Sequence, residues 1–124
     1  NIGLWCSTPM VAVSRAVNQK AAMEMLLTGD MIDAKAAIAG GLINKAVPDD
    51  TLDDEVDAYC RQIISKSPLT LKIGKEAFYR QLEIPLEDAY AYASEVMVTN
   101  MLARDAEEGI DAFLEKRDPE WMGE

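Results

Sequence analysis

The residues of this chain best suited to chemistry stand near its end, where Phe113, Lys116 and Arg117 share one short stretch. A lysine ammonium is a compact point charge that suits a phosphate group. Basic residues in the last turn of a helix also stabilise the helix dipole, and a phenylalanine there is ordinary core packing. Two interpretations of these residues therefore remain open, namely contact with an anion and stabilisation of the end of a helix.

The chain lacks the residue types that most catalytic and metal sites need. It contains no histidine, and its two cysteines, Cys6 and Cys60, stand far apart. These residues alone cannot form a Ser-His-Asp or Cys-His nucleophilic system, or the usual ligand set of a zinc or iron site. The acidic run from Asp49 to Glu55 is typical of a solvated helix start. We expect no metal site, and the isolated cysteines predict a reducing, cytoplasmic location.

Composition and charge narrow the class of protein further. The 124 residues are 49% hydrophobic, which is enough for a single-domain core. Twelve basic residues against 22 acidic ones give a net charge of -10, which repels nucleic-acid phosphate and anionic lipid. No apolar run approaches the roughly 20 residues that span a bilayer. We therefore expect neither nucleic acid nor membrane as a partner.

Caps and glycines divide the first 48 residues into short elements. Three helices are predicted from hydroxyl, amide or carboxylate caps at their starts and glycines at the ends of the second and third. Leu42 to Val47 alternates too little to have one exposed face, and is predicted as a short buried strand. The signals of the three helices, in chain order, are Ser7-Thr8-Pro9, Asn18, Gly29, Asp33 and Gly40-Gly41.

From Pro48 onward the pattern is helical, with Asp118-Pro119 as the final stop. The predicted starts of four helices are Asp49 or Asp50, Ser67-Pro68, Pro85 and Asp105. Asp105 and Glu108 have the spacing of a capping box. Apolar positions of the second and third of these helices are predicted to face inward, namely Leu71, Ala77, Phe78, Leu82, Ala89, Tyr90, Ala93, Met97 and Met101. Trp121 is predicted to pack over a helix end or a partner chain.

Two separated motifs resemble the crotonase family, also called the enoyl-CoA hydratase/isomerase superfamily. The family carries a helix ending in LTG, a second helix of the form A-x-x-A-x-x-x-G-L, and a strand ending in proline. Here the corresponding residues are Met25 to Gly29, Ala34 to Ala37, and Gly41 to Pro48. The second motif is Arg104 to Ile110 followed by Phe113 to Arg117, at the family's usual distance. The chain is thus identified as resembling the C-terminal part of a crotonase.

This resemblance implies a fold and an assembly. The chain should be mostly α, forming the C-terminal portion of the α/β crotonase fold with one or two short strands. Residues 1–48 would end the spiral core, and residues 49–124 would form a helical trimerisation region. The resemblance implies a homotrimer or hexamer.

The resemblance also implies a substrate, a coenzyme A thioester, with no permanently bound cofactor. The family's oxyanion donors and one glutamate belong upstream of Asn1, and its second glutamate position is Ile2, which cannot transfer a proton. We therefore expect no catalytic residue in this chain. Phe113 and Lys116 match family residues that approach CoA. Met10 stands in the family's glycine-rich turn, and its amide is expected to point at substrate or water.

Three functions are compatible with these residues. The first is an acyl-CoA enzyme of fatty acyl-CoA metabolism, with this chain supplying C-terminal helices and part of the CoA site. The second is a non-catalytic acyl-CoA-binding or assembly protein on the same scaffold, which Ile2 and the altered turn favour. The third is an acidic helical interaction module. The opening NIGLWCSTP and Ser14 to Val17 are similar to one subgroup of the family, which lowers the expectation of hydratase activity.

Overall fold

A computed structural model describes residues 3–124, so Ile2 and the glutamate position assigned to it lie outside the described residues. The helices in chain order are α1 (Ser7–Ala16), α2 (Gln19–Thr28), α3 (Ala34–Ala39), α4 (Leu52–Ile64), α5 (Pro68–Gln81), α6 (Leu86–Met101) and α7 (Arg104–Glu115). A single 3₁₀ turn, Asp49–Thr51, leads into α4.

The chain forms two compact units. The first ends at Glu55 and the second runs from Val56 to Glu124, so that the division falls within α4. In the first unit α1 packs against α2, and in the second α5 packs against α6 and α6 against α7.

Three of the predicted helix starts are confirmed by their caps. The side chains of Asn18, Asp33 and Ser67 each accept a hydrogen bond from the amide three residues further on, at 2.9, 2.7 and 3.0 Å. Each bond satisfies an amide that the first turn of a helix leaves unpaired. Gly29 ends α2 in the left-handed conformation, with φ at 65°.

The strand predicted from Leu42 to Val47 is wrong, and residues 3–124 contain no strand. The amides of Leu42 and Ile43 donate instead to the carbonyl of Ala37, at 2.9 and 3.5 Å, and so close the end of α3. Leu42 and Ile43 are 41% and 38% exposed. A strand needs a hydrogen-bonded neighbour, and no residue within 3–124 pairs with this segment in that way.

Three other predicted caps are wrong. Helix α1 begins at Ser7 as expected, but no side chain caps it. The 3₁₀ turn before α4 follows Pro48, without a carboxylate cap. Helix α7 follows Ala103, so Asp105 is already its second residue and lies two positions too late to form the capping box with Glu108. The carboxylates of Asp105 and Glu108 have other partners, described below.

The faces of α5 and α6 that were predicted to be inward are largely exposed. Tyr90 is 71% exposed, and the side chains of Leu71, Phe78, Leu82, Met97 and Met101 are also at the surface. The buried hydrophobic residues among those described are Val17, Ala22, Ala37, Ala89 and Ala112. The helices of each unit therefore approach one another through small side chains, and the larger apolar groups have no covering layer within residues 3–124.

Candidate functional site

Lys116 ends α7 in a conformation that a lysine disfavours. Its φ and ψ are 57° and 42°, and it is the only residue other than glycine with positive φ in the described part of the chain. Its amide donates to the carbonyl of Phe113 at 3.4 Å, and the amide of Arg117 donates to Ala112 at 3.0 Å. This bond pair is the Schellman motif, whose left-handed position usually holds glycine. Left-handed backbone costs a residue with a side chain about 1–2 kcal/mol.

Arg117 is bound back onto α7 by its whole guanidinium group. Its Nη1 and Nη2 donate to the two carboxylate oxygens of Glu108 at 2.6 and 2.9 Å, and its Nε donates to Glu115 at 2.6 Å. The amide of Glu120 donates to Glu108 at 2.7 Å. The hydrogen bonds from Arg117, and then that from Glu120, lower the pKa of Glu108 to about 2. Bonding to Glu108 raises the pKa of Arg117 in turn.

The side chains of Lys116 and Phe113 are free to contact a ligand, whereas the side chain of Arg117 is bound to carboxylates of α7. Within residues 3–124, no carboxylate lies at ion-pair distance from the Lys116 ammonium. Phe113, one turn earlier on α7, is 82% exposed. An ammonium can bind a phosphate, and an exposed aromatic ring can stack on a flat heterocycle. This end of α7 therefore suits binding of a phosphorylated ligand with a ring.

Met10, the third predicted site residue, lies in α1 and is half-buried. Its amide donates to the carbonyl of Cys6 at 3.0 Å, so the expected free amide is already engaged in the helix. Its sulfur accepts a hydrogen bond from the indole Nε1 of Trp5 at 3.4 Å. A contact of Met10 with substrate stays a prediction, and it would use the side chain. Met10 belongs to the first unit, whereas Phe113 and Lys116 belong to the second.

A buried carboxylate that the sequence did not single out as such lies in the second unit. Asp105 is only 2% exposed and accepts hydrogen bonds from the hydroxyl of Ser67 at 2.6 Å and from the amides of Met122 and Gly123 at 2.8 and 3.1 Å. Its own amide donates to the carbonyl of Glu124 at 3.0 Å. The hydroxyl of Ser67 first, and then the backbone amides, lower the pKa of Asp105. The cluster fixes residues 122–124 against the start of α5, which is a structural role.

Trp121 confirms the prediction that it packs over a helix end. Its indole Nε1 donates to the carbonyl of Ser65, directly after α4, at 2.8 Å. Its ring lies against Gly109, where an added Cβ would be 3.2 Å from Cη2. The ring therefore joins α7 to the end of α4.

None of the predicted site residues Met10, Phe113 and Lys116 lines the cavity between α2 and α3. The first unit has a cavity of about 390 Å³ between α2 and α3, lined mainly by apolar side chains together with Asn18, Glu24 and Asp30. No three potential metal-ligating side chains come together within residues 3–124. No helix in the same range is long and apolar enough to cross a membrane.

Comparison with known proteins decides the family. The sequence profile of the family described as enoyl-CoA hydratase/isomerase matches residues 2–124. The chain belongs to the enoyl-CoA hydratase/isomerase family. The expected crotonase fold is thereby confirmed for a mostly helical C-terminal portion.

Relatives within the enoyl-CoA hydratase/isomerase family match nearly the whole chain. The mitochondrial enoyl-CoA hydratase domain-containing protein 3 of Rattus norvegicus is 47% identical over 121 residues, which are 98% of this chain and 40% of that protein. The crystal structure of the human protein of that name is 48% identical with a TM-score of 0.88, and covers 98% of this chain. This is the subgroup that the opening residues resemble, and that resemblance is confirmed.

A crystal structure of an enoyl-CoA hydratase from Mycobacterium smegmatis is 50% identical, with a TM-score of 0.91. It covers 98% of this chain, and this chain covers 47% of it. The chain thus spans about two fifths of the length of the rat relative and about half of this solved chain.

Proposed function

We propose that the protein containing this chain is an acyl-CoA enzyme of the enoyl-CoA hydratase/isomerase type. Its substrate would be an enoyl-CoA thioester of fatty acyl-CoA metabolism, and it would need no permanently bound cofactor. The observation that supports this proposal is the end of α7, where the ammonium of Lys116, which has no ion-pair partner within residues 3–124, follows the exposed ring of Phe113. Because the chain belongs to the enoyl-CoA hydratase/isomerase family, we take CoA as the ligand of Lys116 and Phe113.

The contribution of this chain to the reaction would be binding. Lys116 would bind a phosphate of CoA and Phe113 would lie against its adenine ring, far from the bond that reacts. Binding energy from a remote part of a substrate can fix the orientation of the reacting part. The side chain of Met10 would contact the substrate in the first unit. Donors that polarise the thioester carbonyl, and carboxylates that transfer protons, would come from outside residues 3–124.

The proposal includes an assembly and a location. Exposed apolar side chains on α5 and α6 support a homotrimer or hexamer built through residues 49–124. Light scattering of the full-length gene product would measure the number of subunits. The proposed location is cytoplasmic, although the rat relative carries the word mitochondrial in its name. Cell fractionation would distinguish the two.

A non-catalytic acyl-CoA-binding or assembly protein is the second candidate. Ile2 favours it because an aliphatic side chain transfers no proton, and the amide of Met10 favours it because Cys6 already accepts its hydrogen bond.

Turnover and binding together test both candidates. The full-length gene product is incubated with short and long enoyl-CoA thioesters, and loss of the enoyl absorbance is followed, with calorimetry on the same samples. Turnover supports the enzyme, and binding without turnover supports the second candidate. Absence of both would reject the two together. Lys116→Met should weaken binding of the CoA thioesters, whereas the matched control Lys72→Met, which removes an exposed lysine of α5, should not.

A further inference from the structure

We propose that Glu108, acting through Arg117, is a positioning residue for the Lys116 ammonium. This inference rests on the proposed function, because it assigns the phosphate end of a CoA thioester to Lys116. Glu108 would not touch the ligand.

The contacts around Lys116 hold its backbone from both sides. Before it, α7 supplies the carbonyls of Ala112 and Phe113 to the Schellman bonds. After it, the guanidinium of Arg117 is fixed by two parallel bonds to Glu108 and by a third to Glu115. A bidentate arginine–carboxylate pair fixes direction as well as distance. The left-handed turn is thus fixed by side-chain hydrogen bonds in which the side chain of Lys116 takes no part.

The residue type at this turn points to a use for the ammonium. Glycine adopts the left-handed conformation without strain, whereas Lys116 does not. Strained backbone persists where neighbouring contacts fix it, and it concentrates at sites of function. Here the fixing contacts are those of Arg117, and the group that they present is the Lys116 side chain.

The same network keeps the ammonium free for an anion. Glu108 and Glu115 are the carboxylates bound by Arg117, and its single guanidinium occupies oxygens of both. If Glu108 released Arg117, these acids would compete with phosphate for the neighbouring lysine. A fixed turn also lowers the ordering cost when a ligand binds.

The first experiment uses full-length protein and two thioesters with the same acyl group, one on CoA and one on pantetheine, which lacks the nucleotide phosphates. Lys116→Gly should raise KM for the CoA thioester about tenfold, as expected for loss of one charge-assisted hydrogen bond. Glu108→Gln should raise the same KM by about three- to tenfold. In both variants the KM for the pantetheine thioester should stay unchanged. The matched control is Glu107→Gln, on the same turn of α7, which should change neither KM.

A merely structural role of Glu108 predicts a different result. Glu108→Gln would then impair both thioesters alike, and that outcome overturns the inference. An unchanged ratio of the two KM values in Lys116→Gly overturns it as well.

A second measurement separates this inference from the proposed function. Crystal structures of the parent protein and of Glu108→Gln would show the backbone at Lys116 without any need for activity. Loss of the left-handed turn, or an ion pair between Lys116 and a released acid, supports the positioning role. If φ and the side-chain environment of Lys116 are unchanged in Glu108→Gln, the inference fails even in an active enzyme. If the parent protein acts on neither thioester and binds no CoA, the proposed function fails, whatever these structures show.

Discussion

Replacing Lys116 by glycine should make the protein more stable, although it removes a charged side chain. The left-handed backbone at φ 57° disfavours any residue with a Cβ. Lys116→Ala keeps that cost and removes the ammonium, so it should change stability little. The comparison of Lys116→Gly with Lys116→Ala therefore isolates the conformational cost from the charge.

The size of the effect follows from two opposing contributions. Glycine relieves about 1–2 kcal/mol of left-handed strain. It also gives the unfolded chain more freedom, which offsets about 0.4–1 kcal/mol of that gain. The net expectation is that Lys116→Gly is about 0.5–1 kcal/mol more stable than Lys116→Ala.

Urea denaturation of the three proteins, at one protein concentration, would measure this difference. With a slope of about 2 kcal/mol per molar urea, the midpoint should rise by about 0.3–0.5 M from the alanine to the glycine variant. A glycine variant that is no more stable than the alanine variant would show that the turn is not left-handed in solution. The reasoning about Lys116 would then be wrong at its first step. If the gain in stability accompanies a loss of CoA affinity, the lysine is kept at a stability cost for binding.

Further expectations concern the second unit. The pKa of Asp105 is lowered from 3.8 by folding, so its stabilising effect is complete above that pH and is lost as the pH falls through the lower folded value. Acid titration followed by tryptophan fluorescence should show this loss, and Asp105→Asn should reduce the dependence, leaving the part that comes from Glu108. Ser67→Ala removes both a helix cap and a donor to Asp105, and should lower the free energy of unfolding by about 1–2 kcal/mol in urea titrations. Gly74→Ala, in open space within α5, should raise stability by about 0.5–1 kcal/mol, whereas Gly109→Ala should gain less because its Cβ would meet Trp121. Equal gains at the two glycines would contradict the position of the indole ring.

Local signals made most helix boundaries predictable. A cap acts on an amide three residues away, and a glycine stop acts on its own backbone, so Asn18, Gly29, Asp33 and Ser67 can be recognised without knowledge of the rest of the fold. The strand at residues 42–47 could not be judged in this way, because a strand exists only with a neighbour.

In the candidate site, too, local motifs could be recognised from the sequence, whereas contacts between distant residues could not. Phe113 and Lys116 were found from a motif, but the left-handed turn was not, because glycine is its usual sign and a lysine stands there instead. The sequence placed the end of this helix at Asp118-Pro119, while α7 ends at Glu115. Asp105 was predicted as a cap from its spacing to Glu108. Its partner in the structure, Ser67, stands 38 residues earlier in the chain. Such a pairing leaves no trace in local spacing.

The position of Met122 and Gly123 beside Asp105 has a consequence for biosynthesis. Met122 and Gly123 leave the ribosome after helices α5 to α7. Their amides nevertheless bind the carboxylate of Asp105, which is shielded from water. An unsatisfied carboxylate resists burial, so α7 should not dock stably while residues 121–123 are still in the exit tunnel. Helices α5 to α7 are therefore expected to reach their final packing only after translation has passed residue 123.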